Sequence, residues 1–419
     1  MKFTQLLLVI CFFLGKPASA QSLQEIFKKG TFAYEERDYS SFLMYMQQAD
    51  SIRPNHPTIL YRLAAGFALT HQNDLSIHAL RRALWMNAGL PFVQNEDFSG
   101  LKGEARFDML VKEIETLNKE IRGGTTLFEL ADKSIHPEAI AYSEQHQTFF
   151  VSSIRQSKIL VLSEDGRIVN TIKRPGFMSI MGLKVDEAKD QLWICSTPAT
   201  EMKDYQEGLK AEVLCMDLNT YEIVSRHQAP QLGDWLGDLA ISAKGDVYVS
   251  NSSAQNPSIY QVNRQSDTLE VLLEFTELAS IQGVTLSPDD ATLFFSDYRH
   301  GLFQYNLELQ EYASLQSTVI HPLKGIDGLY YHENALIAIH NGLRPFRIVR
   351  YELDLTFSRI ENYQFIEKAL PEMNEPTLGF LRGSEFYYVA NSPWAAYSNE
   401  KELNLEQVGN PIFRKVLLK

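Results

Sequence analysis

Apolar and polar residues alternate along this chain in two rhythms. Up to about residue 122 the spacing is helical, and it recurs after 34 residues. Ile26, Gly30, Phe42, Met46 and Ala49 are followed, 34 positions on, by Leu60, Ala64, Ser76, Leu80 and Ala83. Gly30, Ala49, Ala64 and Ala83 stand where two helices must approach closely, and the larger apolar residues fill the seam between them. Arg37-Asp38 and Asn73-Asp74 mark the turns inside each pair. The stretch from Asp97-Phe98 to Ile121 reads as an incomplete terminal copy, and Gly123-Gly124 breaks its last helix. Beyond that point the rhythm is that of short strands. One unit recurs: a small residue and an apolar one, a few alternating positions, a turn, then a strand ending in Ser, Asp or Asn. Its starts are Glu138, Met181, Gly237, Gln282, Asp327 and Pro376, spaced by 43, 56, 45, 45 and 49 residues.

Six units of about 40–50 residues with four strands each predict a mainly β chain, a six-bladed β-propeller over residues 125–419. Thr126 to Leu130 reads as a strand that closes the ring beside Phe413 to Leu418, which removes the exposed edges of an open sheet. Glu164-Asp165-Gly166, Ala243-Lys244-Gly245-Asp246 and Ser287-Pro288-Asp289-Asp290 supply turns between strands. The insertion Thr197 to Lys210 would hang over one mouth of the channel. The 34-residue period of the N-terminal α-helical region, residues 21–123, resembles the tetratricopeptide repeat. So short a solenoid either serves as a structural cap or offers a concave face to a protein or peptide.

The first residues change the picture. Met1-Lys2, an apolar run from Leu6 to Leu14 and Ala18-Ser19-Ala20 form a secretory signal peptide, so residues 1–20 would be removed and the protein would be periplasmic or secreted. The apolar run is too short to span a bilayer, and no later segment approaches that length. The whole chain carries 39 basic and 52 acidic residues. Loss of Lys2 and Lys16 leaves 37 against 52, a net charge of −15. Such a surface excludes nucleic acid as a partner. Cys195 and Cys215 remain; export would permit a disulfide, while their apolar surroundings suit buried thiols.

Pro137-Glu138-Ala139-Ile140-Ala141, Gln282-Gly283-Val284-Thr285-Leu286-Ser287-Pro288-Asp289 and Ile326-Asp327-Gly328-Leu329 resemble the first strands of the SMP-30/gluconolactonase/strictosidine-synthase-like group. Asn374-Glu375-Pro376-Thr377-Leu378-Gly379-Phe380 and Phe386 to Trp394 are similar to its bacterial members. The resemblance covers residues 125–419. It implies a divalent cation, often calcium, held on the propeller axis by a Glu, two Asn and an Asp, and a carboxylate that assists water in attacking a lactone or ester. Glu138 and Asp327 match the catalytic and metal-binding carboxylates. Gln282 stands at one Asn position and keeps a carbonyl ligand; Gly237 stands at the other and supplies none. Asp238, beside it, is directed elsewhere by strand alternation. Asn251, Asp297, His340 and Asn391 end second strands and are candidates for binding a small-molecule substrate; the other reading of them is strand-ending turn chemistry. Arg344, Arg347 and Arg350 would attract an anion or lie on a solvated strand face. No GxSxG, HExxH, P-loop or dinucleotide fingerprint is present. Two readings follow: a calcium-dependent lactonase or other hydrolase, and a non-catalytic ligand-binding or scaffold propeller with a peptide-binding helical region.

Overall fold

The computed structural model describes residues 22–419; the signal-peptide reading concerns residues that lie outside this range. Two compact units are formed. One comprises the described residues up to Leu84 together with Pro91–Val111, the other Trp85–Leu90 with Lys112–Lys419. Among the described residues no helix is long and apolar enough to cross a membrane.

Among the described residues five α-helices precede the strands: α1 (Leu23–Glu35), α2 (Tyr39–Ile52), α3 (Pro57–Leu69), α4 (Asn73–Met86) and α5 (Ala105–Leu117), with a 3-10 turn at Glu96–Leu101. Ser22 and Asp38 cap α1 and α2 through their side-chain oxygens, which accept from Glu25 N and Ser41 N. Close approach decides the small residues. A Cβ on Gly30 would lie 2.5 Å from Met46 Cε, and Ala49, Ala64 and Ala83 are fully buried.

The second unit is a six-bladed β-propeller. The first blade consists of Ile140–Ser143, Thr148–Ser153, Lys158–Ser163 and Ile168–Ile172, paired in that order. Four further blades begin at Ser179, Leu236, Ile281 and Ile326 and repeat the pattern, the last with Gln316–Ser317 added as a short fifth strand. The sixth is completed from both ends of the strand region. Gly379–Arg382, Glu385–Val389 and Ile412–Leu417 are joined by Gly124–Glu129, which pairs antiparallel to Ile412–Leu417 as the outermost strand. Second strands such as Thr148–Ser153 and Ala335–His340 are buried almost throughout because blades pack face to face. One core cluster joins Ala139 and Phe150 of the first blade to Ile194 and Leu214 of the second. Outer strands such as Ile168–Ile172 are mostly exposed.

Four innermost strands carry an irregularity near their start, between Ile180/Leu183, Leu236/Leu239, Ile281/Val284 and Ile326/Gly328. An extra residue there leaves a backbone N–H outside the ladder. A second-strand serine meets such groups: Ser250 Oγ accepts from Asp238 N (3.0 Å) and Ser296 Oγ from Gly283 N (3.0 Å). Ser152 does the same for Ala139 N in the first blade (2.8 Å). This recurring device satisfies backbone N–H groups at the starts of the inner strands.

Ring closure is secured by a buried ion pair. Arg414 and Glu367 are both fully buried, with Nη2–Oε1 at 2.6 Å and Nε–Oε2 at 3.0 Å. Gly124 N donates to Glu367 Oε1 (2.8 Å), and Arg414 Nη2 donates to Gly124 O (3.0 Å). The pair therefore holds both polar groups of the first residue of the closing strand. Cys195 and Cys215 are free and buried.

Candidate functional site at the propeller axis

Inner strands begin, and second strands end, at the same end of the channel. Glu138 enters the first blade there, is 9 % exposed, and feels the charge of Asp327 from the fifth blade. Burial first, and that charge second, push the Glu138 carboxyl well above its ordinary value. Burial raises Asp327 to about 7, with Asp238 and Glu375 adding to the shift. Asn341 hydrogen-bonds Asp327, and its Oδ1 accepts from Tyr298 OH at 2.9 Å. The Oδ2 of Asp327 is buried and has no hydrogen-bond partner among the described residues. Gln282 begins the fourth blade; its Nε2 donates to Ser280 Oγ (2.9 Å), while its Oε1 lies 3.9 Å from where a Cβ on Gly237 would stand.

Two carboxylates that sequence reading did not assign belong to this set. Asp238 is 2 % exposed and raised by burial, with Lys184 Nζ 3.8 Å from its Oδ1 as the opposing influence. The irregularity between Leu236 and Leu239 suspends the alternation that would have directed Asp238 away. Glu375, half-buried and at φ 58, is raised by burial and lowered by Arg344. Lys184 Nζ also lies 4.6 Å from the ring centroid of Tyr330, so the channel wall below the acidic cluster pairs a cation with an aromatic face.

The strand-ending residues are placed differently. Asn251 is fully buried: its Oδ1 accepts from Trp235 N (2.7 Å), and its Nδ2 lies near Asp234 Oδ1, Asn256 O and Ser258 Oγ. Asp297, also fully buried, accepts from Ala279 N, Ser280 N, Arg299 N and His300 N, all within 3.0 Å. His340 Nδ1 is 3.0 Å from Lys324 O and its Nε2 2.8 Å from Tyr351 OH. All three tie the end of a second strand to the segment leading into the same blade, which engages the polar atoms a ligand would need. Asn391 bonds Ile412 N (2.7 Å) and Asn410 O (2.9 Å), yet it also lines an open cleft of ≈ 190 Å³ with Pro137, Asn374, Ser392 and Gln407. Arg347 does not lie on a solvated face. It is fully buried and donates from Nη2 to Trp85 O (2.7 Å), with Nε and Nη1 unpartnered among the described residues. Arg344 is exposed, and Arg350 Nη2 donates to Glu333 O (3.0 Å).

The insertion after Thr197 contacts segments of the first and sixth blades. Lys203 N donates to Arg155 O (2.9 Å), and Glu201 Oε1 pairs with Lys401 Nζ (2.7 Å).

The sign of the pH dependence follows from the raised carboxyls. An acid held above its unfolded value stabilises the fold at low pH and loses that contribution as pH rises through the folded value. For Asp327 the window runs from 3.8 to about 7. Buried His136, lowered to about 3, acts oppositely: its contribution is present above 6.5 and lost as pH falls. We expect Asp327→Asn, melted beside wild type in chelator, to gain on it by a few kcal/mol between about pH 5 and about pH 8. A difference that stays flat with pH means Asp327 is not held neutral.

No protein-family model matches the chain, and no curated protein matches it. Among solved structures it is similar to a chain of the nidogen/laminin complex. The identity is 15%, over 55% of this chain and 80% of that one, with a TM-score of 0.40. It is likewise similar to selenomethionine-substituted virginiamycin B lyase from Staphylococcus aureus. Here the identity is 14%, over 70% of this chain and 98% of the lyase, with a TM-score of 0.45. These likenesses concern the fold alone.

Proposed function

We propose that the Glu138–Asp327 end of the channel is a small-molecule site that holds a divalent cation and hydrolyses a lactone or ester. The observation that supports it is Asp327 Oδ2, buried without a hydrogen-bond donor beside a second carboxyl on another blade. Among the described residues no three His, Cys, Asp or Glu side chains form a metal-holding group. The proposed donors are Glu138, Asp327 and the Oε1 of Gln282, hard oxygens suited to calcium, and a cation held by so few would keep several waters. A bound cation would polarise the substrate carbonyl and acidify a water. Asp327 Oδ2 would take the proton of the attacking water, while Asn341, fixed by Tyr298, keeps the carboxylate oriented. Glu138, held by Trp394 and Ser392, would face it across the site.

A second reading rests on Gly237. At the start of the third blade it leaves one position of the ring without a side-chain donor, which favours a non-catalytic ligand-binding propeller. In this second reading the helical unit, with its tetratricopeptide-like period, offers a peptide-binding face.

Calcium should raise the melting temperature. At a hundredfold excess over Kd, one bound ion adds about 2.7 kcal/mol. The shift is lost in Glu138→Gln and in Asp327→Asn, and a lactone and ester panel run beside it reads the activity. No shift with calcium, magnesium, manganese or zinc removes the hydrolase reading in favour of the scaffold. Residues 1–20 are proposed as an export signal, so N-terminal sequencing of protein outside the cytoplasm should begin at Gln21; a retained Met1 overturns this.

A further inference from the structure

We infer that Trp394 is the positioning residue of Glu138 and that its indole reports what Glu138 holds. This rests on the cation reading above. Glu138 Oε2 accepts from Trp394 Nε1 at 3.0 Å. Ser392 Oγ lies 3.5 Å from the same oxygen and donates to Pro137 O at 2.8 Å. Both contacts fall on Oε2, so among the described residues Oε1 has no donor and is the oxygen left for a ligand. An N–H directed at a carboxylate strengthens with the negative charge of its partner, and it selects which oxygen stays free.

The indole is itself held. His136, fully buried at φ 48, packs against it with ring centroids 4.6 Å apart at 81°. The Nδ1 of His136 lies 2.8 Å from Tyr397 OH, which anchors the far side of the same loop. Trp235, from the third blade, stands 6.4 Å from Trp394 at 47°. Trp394 also opens the 3-10 turn Trp394–Ala396 behind Pro393, so its backbone is constrained. An indole held by two such neighbours and by its own turn aims its N–H at Glu138. Partners that orient a metal-binding side chain typically change metal affinity by about 10–100-fold when removed.

The test is calcium titration of wild type, Trp394→Phe and Trp235→Phe, followed by calorimetry and by indole emission. Trp394→Phe keeps the ring and loses the N–H. It should weaken calcium binding by about 10–100-fold and abolish the emission change. Trp235→Phe, which keeps an aromatic ring beside the indole and leaves the Trp394 N–H in place, should leave the affinity as in wild type. Trp394→His, which restores a ring N–H, should recover part of the loss. Wild-type affinity in Trp394→Phe overturns the inference while leaving the cation reading intact. A wild type that binds none of the four cations overturns both. If Trp394→Phe does not fold, the indole N–H resonance of Trp394 is followed in wild type during the titration. Movement with calcium supports the inference, and a stationary resonance overturns it.

Discussion

Arg414→Ala should lower stability by about 3–5 kcal/mol and turn a cooperative melt into an early, aggregating one. The magnitude follows from what stays behind: Glu367, fully buried, would be left without its guanidinium partner. Glu372 would lose a 2.7 Å contact with the same arginine, although Arg122 remains beside it. Gly124 would lose the donor to its carbonyl at the point where the closing strand enters the sixth blade. With that entry loosened, Gly124–Glu129 detaches from Ile412–Leu417, and an unpaired strand edge becomes available to other molecules. The paired exchange Arg414→Met with Glu367→Leu is the decisive comparison. Replacing both partners by apolar side chains removes the orphaned charge, and such exchanges are often close to neutral. We therefore expect the double variant to be more stable than Arg414→Ala. Chemical denaturation of the three proteins checks this, and a double variant no better than the single one shows that the lost backbone contacts to Gly124 dominate.

The same closure explains why the architecture was legible and parts of the site were not. A repeat of 43 to 56 residues needs no long-range information, because each copy carries its own strands and turns. It aligned Glu138 with Asp327, and the structure brings those two within electrostatic reach. Asp238 was set aside because strict alternation places neighbours on opposite faces, and alternation fails where an inner strand is irregular. Glu375 was invisible for a related reason: it lies just before the repeat, in a left-handed conformation that no strand rule anticipates. Trp394 reaches Glu138 across 256 positions of sequence, a contact that exists only once the ring is closed. The strand-ending Asn, Asp and His residues show a different limit. The repeat makes them equivalent, but whether their polar atoms face solvent or fold back depends on Trp235, Ala279 and Lys324, which precede the inner strands of the same blades and share no residue type.

Asp297→Ala separates those two possibilities by the kind of loss it causes. As a ligand-binding residue, Asp297 would leave the melting temperature nearly unchanged and weaken binding. Its geometry requires the reverse. The carboxylate is fully buried and accepts from four backbone N–H groups, those of Ala279, Ser280, Arg299 and His300, at 2.7 to 3.0 Å. His300 Nδ1 adds a fifth contact at 2.7 Å. An alanine leaves these donors facing a cavity, and each buried unpaired donor costs about 1–3 kcal/mol. Water entering the gap would recover part of that, so the expected destabilisation is about 3–5 kcal/mol, at the extreme of single substitutions. Asp297→Asn sharpens the comparison. Its amide keeps one acceptor but must point an NH₂ at N–H groups of its own polarity, so it should recover only part of the loss. Denaturant melts of the three proteins, set beside calcium binding to whichever variants fold, provide the measurement. A stable Asp297→Ala with impaired ligand binding would return this residue to the binding site.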